Sequence, residues 1–177
     1  MTFGDRVIGA LKLDENAFED AERDPTSIGQ AVGVIVLGSV STGIGWIAYS
    51  GFSGIISGAV SALIGSLIGS LLIWLVGTKM MPGPNTQADF PQTFRTVGFA
   101  AAPNLFGFIT IIPFLGWLLW FVIMLWQIAA TVVAVKAVLD YADIGKAIIV
   151  VVICWVIGMA VSVMLMSLVG LRMMMTG

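Results

Sequence analysis

The chain has 177 residues, 59% hydrophobic and 10% charged, with a mean hydropathy of +1.05 and a formal net charge of −2. A soluble domain is about half apolar and about a quarter charged. A chain this short cannot bury such an apolar excess in water, so lipid is the solvent for most of it.

The missing basic excess argues against nucleic acid as a partner. With no histidine and one cysteine, Cys154, the chain offers neither an intrachain disulfide nor a usual zinc site. No metal or cofactor is expected.

Residues 1–27 form a charged, mostly acidic amino-terminal segment. Phe3, Val7 and Leu11 recur every four residues, with Ile8 and Ala10 beside them, which predicts a short amphipathic helix lying on the membrane face. Asp14 suits the cap of a second helix through Arg23, carrying Phe18 among Glu15, Glu19, Asp20 and Glu22. The pair reads as a solvated lid or as a docking surface for a partner. Its acidic balance argues against adhesion to anionic lipid, which uses Lys and Arg clusters. No signal peptide is expected, because the segment lacks a positive start and the first apolar run is too long.

Charges divide the remainder, residues 28–172. None lies between Asp24 and Lys79, between Arg95 and Lys136, or between Lys146 and Arg172. At about 20 residues per crossing, the first two gaps hold two spans each and the third holds one. The predicted spans are 29–49, 55–77, 93–112, 114–135 and 147–171, followed by a tail at 173–177. Residues 50–54 make the first turn, with Trp46 and Tyr49 in the interfacial aromatic belt. Pro91 suits a helix start, Pro103 kinks span 3, and the run from Pro113 to Gly116 breaks it from span 4. A re-entrant hairpin is the alternative for span 3.

Five spans place Arg6, Lys12, Arg23, Lys79, Arg95, Lys136 and Lys146, seven of the eight basic residues, on one side. The positive-inside rule then sets the amino terminus in the cytoplasm and the carboxyl terminus outside the inner membrane. Lys136 and Asp140, four apart, are able to pair on one helix face.

The clearest pattern is in span 2. Ser57, Ser61, Gly65 and Gly69 recur every four residues, and Gly54, Gly58, Ala62, Ser66 and Ser70 run beside them. Small residues at this spacing let helix backbones approach closely, so span 2 is the expected packing hub. Span 1 echoes it with Gly29, Gly33, Ser41 and Gly45. Asn104 and Gln127 are the candidate intramembrane polar contacts. Asn104 follows the Pro103 kink, and Gln127 lies midway along span 4.

Arg95 sits at the entry to span 3 and no charged residue lies deeper within a span, which argues against proton coupling. The chain has no histidine for a triad, no phosphate-binding loop and no Gly-x-Ser-x-Gly, so an enzyme is not expected. Methionines 173–175 read as an apolar tail.

The chain resembles bacterial members of the YIP1 family of multi-pass membrane proteins. The resemblance begins with Phe3, Arg6, Gly9-Ala10-Leu11, Leu13-Asp14, Phe18-Glu19, Arg23-Asp24-Pro25 and Gln30-Ala31. It continues through Phe94-Arg95, Ala102-Pro103, Pro113-Phe114-Leu115-Gly116, Leu125-Trp126, Val135-Lys136-Ala137 and Ala147. It implies a five-span helical bundle with a cytoplasmic amino terminus. The Asp-Leu-Tyr-Gly-Pro motif of eukaryotic relatives has no counterpart, so Rab GTPase binding does not carry over.

The expected protein is therefore an all-α integral membrane bundle of five spans with short cytoplasmic amino-terminal helices. Its partners are the lipid bilayer and other membrane proteins or itself. The leading reading is a non-enzymatic scaffold, membrane-organising protein or accessory subunit of a membrane complex. The alternative is a small transporter, channel or lipid-handling protein gated at the broken third span, which calls for a polar cavity at Asn104, Thr110 and Gln127.

Overall fold

The computed structural model describes the backbone of residues 1–176 and the side-chain surroundings of residues 1–161, 163 and 164. Every element among the described residues is helical.

Helix α1 (Phe3–Leu11) starts on a reciprocal cap. Thr2 accepts from the Asp5 amide and Asp5 accepts from the Thr2 amide, which satisfies two otherwise orphaned donors. Helix α2 (Glu15–Arg23) starts on Asp14, whose carboxylate accepts from the Asn16 amide. The two helices touch at Gly9, where a Cβ would stand 2.3 Å from the Ala17 Cβ.

Five stretches are long and apolar enough to cross a membrane. They are α3 (Ser27–Gly45), α4 (Ile47–Leu75) extended by a π-helical turn (Val76–Met80), α5 (Phe90–Phe99) continued by a 3₁₀ segment (Ala102–Ile111), α6 (Gly116–Val138), and α7 (Ile144–Thr176) over Ile144–Val161. The chain is thus an all-α bundle of five candidate spans with two short helices ahead of it. The side chains of Arg172 and of methionines 173–175 lie outside the described residues.

The connections differ in detail from expectation. The first reversal begins at Trp46, and one helical turn follows before Gly51 breaks the path at φ 63° and ψ −173°. That conformation is open essentially to glycine alone. Span 3 begins at Phe90 because Asp89 caps it, in a reciprocal pair with Gln92. Beyond Phe99 the chain changes helix type. Pro103 has no N–H and disfavours α geometry in the residue before it, and ten residues continue as 3₁₀ helix. Roughly 15 Å of α-helix and roughly 20 Å of 3₁₀ helix suffice for a hydrocarbon core of about 30 Å without a hairpin.

The centre of the bundle is span 3, not span 2. In the apolar window of Phe90–Ile111, 61% of residues are buried inside the chain, against 17% in Ile47–Met80. A 3₁₀ helix turns once every three residues and stacks positions i and i+3. Ala101, Asn104, Gly107 and Thr110 therefore form one ridge, and α3 lies against it. A Cβ on Gly38 would stand 3.0 Å from the Asn104 Cβ and 3.3 Å from the Ala101 carbonyl oxygen. One on Gly107 would stand 2.6 Å from the Thr42 Cα, and one on Gly45 would stand 2.3 Å from the Gly107 carbonyl oxygen.

Ser41 stitches this seam by donating to the Leu105 carbonyl at 2.8 Å and accepting from the Phe108 amide at 3.0 Å. These are the two groups that close one 3₁₀ turn, so a side chain of α3 enters the ladder of its neighbour. By contrast, nothing lies within 4 Å of a Cβ on Gly29 or Gly33.

Overpacking a backbone-close contact costs about 1–3 kcal/mol or more. Gly45→Leu is expected to lower the Tm in detergent markedly, and Gly33→Leu to leave it unchanged or raised. Circular dichroism melting of both variants checks this.

Candidate functional site

Three adjoining cavities open between α3, α4, the 3₁₀ segment and α6, and all three are lined by Asn104 and Gln127. One of about 310 Å³ reaches Ala62, Gly65, Ser66 and Gly69 of α4 and Cys154 and Trp155 of α7. Another, of about 410 Å³, follows Gly54, Gly58 and Ala62 towards Trp46. The third, of about 160 Å³, lies against Thr42, Gly107, Thr110 and Trp120.

Together they form a cleft within the spans, with no Asp, Glu, Lys or Arg among the described residues of its lining. Its polar groups are unequal. Ser39, Thr42, Thr110 and Thr131 donate to carbonyls of their own helices. The half-buried Asn104 and Gln127 amides have no hydrogen-bond partner within the described residues. Each amide presents two donors and one acceptor, which an apolar surrounding leaves costly unless something answers them.

The residues singled out in span 2 part company here. Gly54, Gly58, Gly65 and Gly69 line the cleft, and nothing among the described residues lies within 4 Å of a Cβ on the last three. Ser57 and Ser61 are exposed and line none of these cavities. The small-residue ridges of span 2 are left open within the chain, and the close approach falls to α3 and the third span.

The charged end of the bundle is a second organised region. Arg6, 3% exposed, reaches Asp20 at 2.7 Å, Asp24 at 2.7 Å and Gln30 at 2.8 Å. One guanidinium fork thereby ties α1, α2 and the start of α3 together. Arg95 of α5 donates to the carbonyls of Ala21 and Glu22, placing a cation at the negative end of α2. Trp126 of α6 donates its indole N–H to the Leu11 carbonyl at 2.9 Å, the last residue of α1. The expected Lys136–Asp140 pair is not formed. Lys136 reaches across to Glu15 of α2 at 2.7 Å, because Asp140 lies beyond the end of α6 with φ at 50°.

The connections close the same end. Tyr141 donates to the Met81 carbonyl, Lys146 to Pro82, and Thr86 to Leu139. In the sequence Arg6 shows as one of the seven basic residues of that side and as part of the family resemblance, without its partners. The signal that would have found its role is its spacing from Asp20 and Asp24, visible only once α1 and α2 fold back on each other.

Electrostatics at this end are uneven. Burial, and then the neighbouring Asp140, push the Glu22 carboxyl up to about 7 from 4.5, with Arg23 and Arg95 opposing. Asp24 is held at about 2, by the Thr26 hydroxyl first and then by Arg6. At Asp20 burial acts upward, but bonds from Arg6 and the terminal ammonium outweigh it and leave the group below its ordinary value.

A carboxyl raised in the docked lid favours docking below its ordinary value, and that contribution is lost as pH rises through the docked value. The Glu22 contribution is full below 4.5 and gone above about 7. The Arg6 part of the Asp24 contribution is full above 3.8 and lost towards 2. Hydrogen-exchange protection of α2, normalised to intrinsic rates, is therefore expected to peak between these limits and decline towards pH 7. Glu22→Gln is expected to flatten the neutral-side decline.

Among the described residues no group of three or more His, Cys, Asp or Glu side chains is placed to hold a metal. The Yip1 domain matches residues 15–166. No curated protein and no solved structure matches the chain.

Proposed function

The chain belongs to the Yip1 domain family, and from that premise we propose that it is a non-enzymatic membrane-organising protein, a scaffold or accessory subunit of a membrane protein complex. It sits in the inner membrane with its amino terminus in the cytoplasm. The observation that carries this reading is the unfilled face of α4, where Ser53, Ser57 and Ser61 are exposed and line none of the cleft's cavities. Lipid offers no hydrophobic drive for helices to associate, so close backbone approach across small residues is the main source of packing energy. A face built for such approach and left open by its own chain suits a helix of another membrane protein or of a second copy. The orientation follows from the basic residues gathered at the end that carries α1 and α2.

The test is cysteine cross-linking in native membranes in a Cys154→Ala background. Single cysteines at 53, 57 and 61 are expected to give discrete adducts. Cysteines at 56, 60 and 64, on the neighbouring exposed stripe, are expected to give little. Equal adducts at all six, or none at any, contradict the reading.

One observation favours a second reading, a small transporter, channel or lipid-handling protein. The cavity of about 160 Å³ brings together Asn104, Thr110 and Gln127, beside a third span interrupted by its change of helix type.

A further inference from the structure

We propose that the cleft between α3, α4, the third span and α6 holds one uncharged lipid. Its hydroxyl or carbonyl head bonds the amides of Asn104 and Gln127, and its chain lies along Gly65, Ser66 and Gly69 of α4. The inference deepens the ligand-handling reading above and rests on it.

Three observations carry it. The first is size. Volumes of about 310 and 410 Å³ fall in the range of about 300–1,000 Å³ usual for small-molecule sites. The second is charge. Among the described residues no Lys or Arg lines the cleft. A phosphate head would need such partners, and those described stand outside it, at the charged end. The third is the hydrogen-bond balance. The hydroxyls of Ser39, Thr42, Thr110 and Thr131 already donate to helix carbonyls, whereas the two amides have no partner among the described residues. Both line all three cavities, Asn104 from the 3₁₀ segment and Gln127 from α6.

A single neutral head that accepts and donates answers this arrangement, and the apolar walls of Ile35, Ile73 and Val151 suit its chain. Exposed Gly65 and Trp155 leave the cleft open to the bilayer. That is the route by which a lipid, unlike a water-soluble ligand, enters.

The test is native mass spectrometry of the full chain in mild detergent. The added probes are dioleoylglycerol, a long-chain benzoquinone, or dioleoylphosphatidylglycerol. One equivalent of the diacylglycerol or of the quinone is expected to be retained in preference to the phospholipid. Which of the two binds identifies an ester or an isoprenoid source.

Gln127→Leu is expected to weaken retention about threefold to tenfold, the loss of one intramembrane hydrogen bond. Gly69→Leu puts a side chain into the cleft at a position with no atom within 4 Å of its Cβ. It is expected to abolish retention while the Tm holds. Equal retention in Gln127→Leu overturns amide recognition alone and leaves a ligand-handling protein. No retained neutral lipid, preference for the phospholipid, or a second copy that excludes lipid overturns the proposal together with the reading beneath it.

Discussion

The rest of the structure depends on one contact, the backbone-close seam between α3 and the 3₁₀ half of the third span. In water a helix pair is held by the release of apolar surface, but in lipid that term vanishes and proximity must do the holding. Gly38, Gly45 and Gly107 remove the side chains that would keep these two backbones apart. Ser41 then answers a carbonyl and an amide of the 3₁₀ ladder. Backbone polar groups in hydrocarbon must be satisfied within protein, and a 3₁₀ helix of ten residues is long for its kind. The neighbour that packs on it also completes its hydrogen bonding.

Because the seam draws α3 onto the third span, α4 stands at the side of the bundle. Its small residues face a cleft on one stripe and open space on the next. The amides of Asn104 and Gln127 look into that cleft. At the charged end, Arg6, Arg95, Lys136 and Trp126 hold α1 and α2 by bonds from two spans, the third and α6, and from within the lid. Changes in the lid therefore reach the third span and α6, the same two elements that carry the amides.

Much of this was legible in the residues. Gaps between charges located the spans, since a charge inside hydrocarbon is costly. Asp14 marked the second lid helix because a cap acts locally. Asn104, Thr110 and Gln127 could be named as lining a polar cavity because few polar side chains fall within the spans. The hub was misplaced for a physical reason. Span 2 shows a four-residue period that reads at once as close packing. The true seam has a period of three along Ala101, Asn104, Gly107 and Thr110, which appears only once Pro103 has turned the chain from α to 3₁₀ geometry. The partner of Lys136 was misread likewise, because its choice between Asp140 and Glu15 depends on where α2 docks.

The most direct test of the packing that sets this seam is a cysteine pair on the same two spans, in α5 just ahead of the 3₁₀ half, in a Cys154→Ala background. A Cβ on residue 98 would stand 2.9 Å from the Ala31 Cβ, close enough for a disulfide after a shift of well under about 1 Å. Ala31→Cys with Gly98→Cys is expected to close rapidly under mild oxidation in membranes. Gly33→Cys with Gly98→Cys is expected to stay reduced. A pair at 31 and 98 that fails to close, or a control that closes as fast, would contradict the packing of the first span on the third.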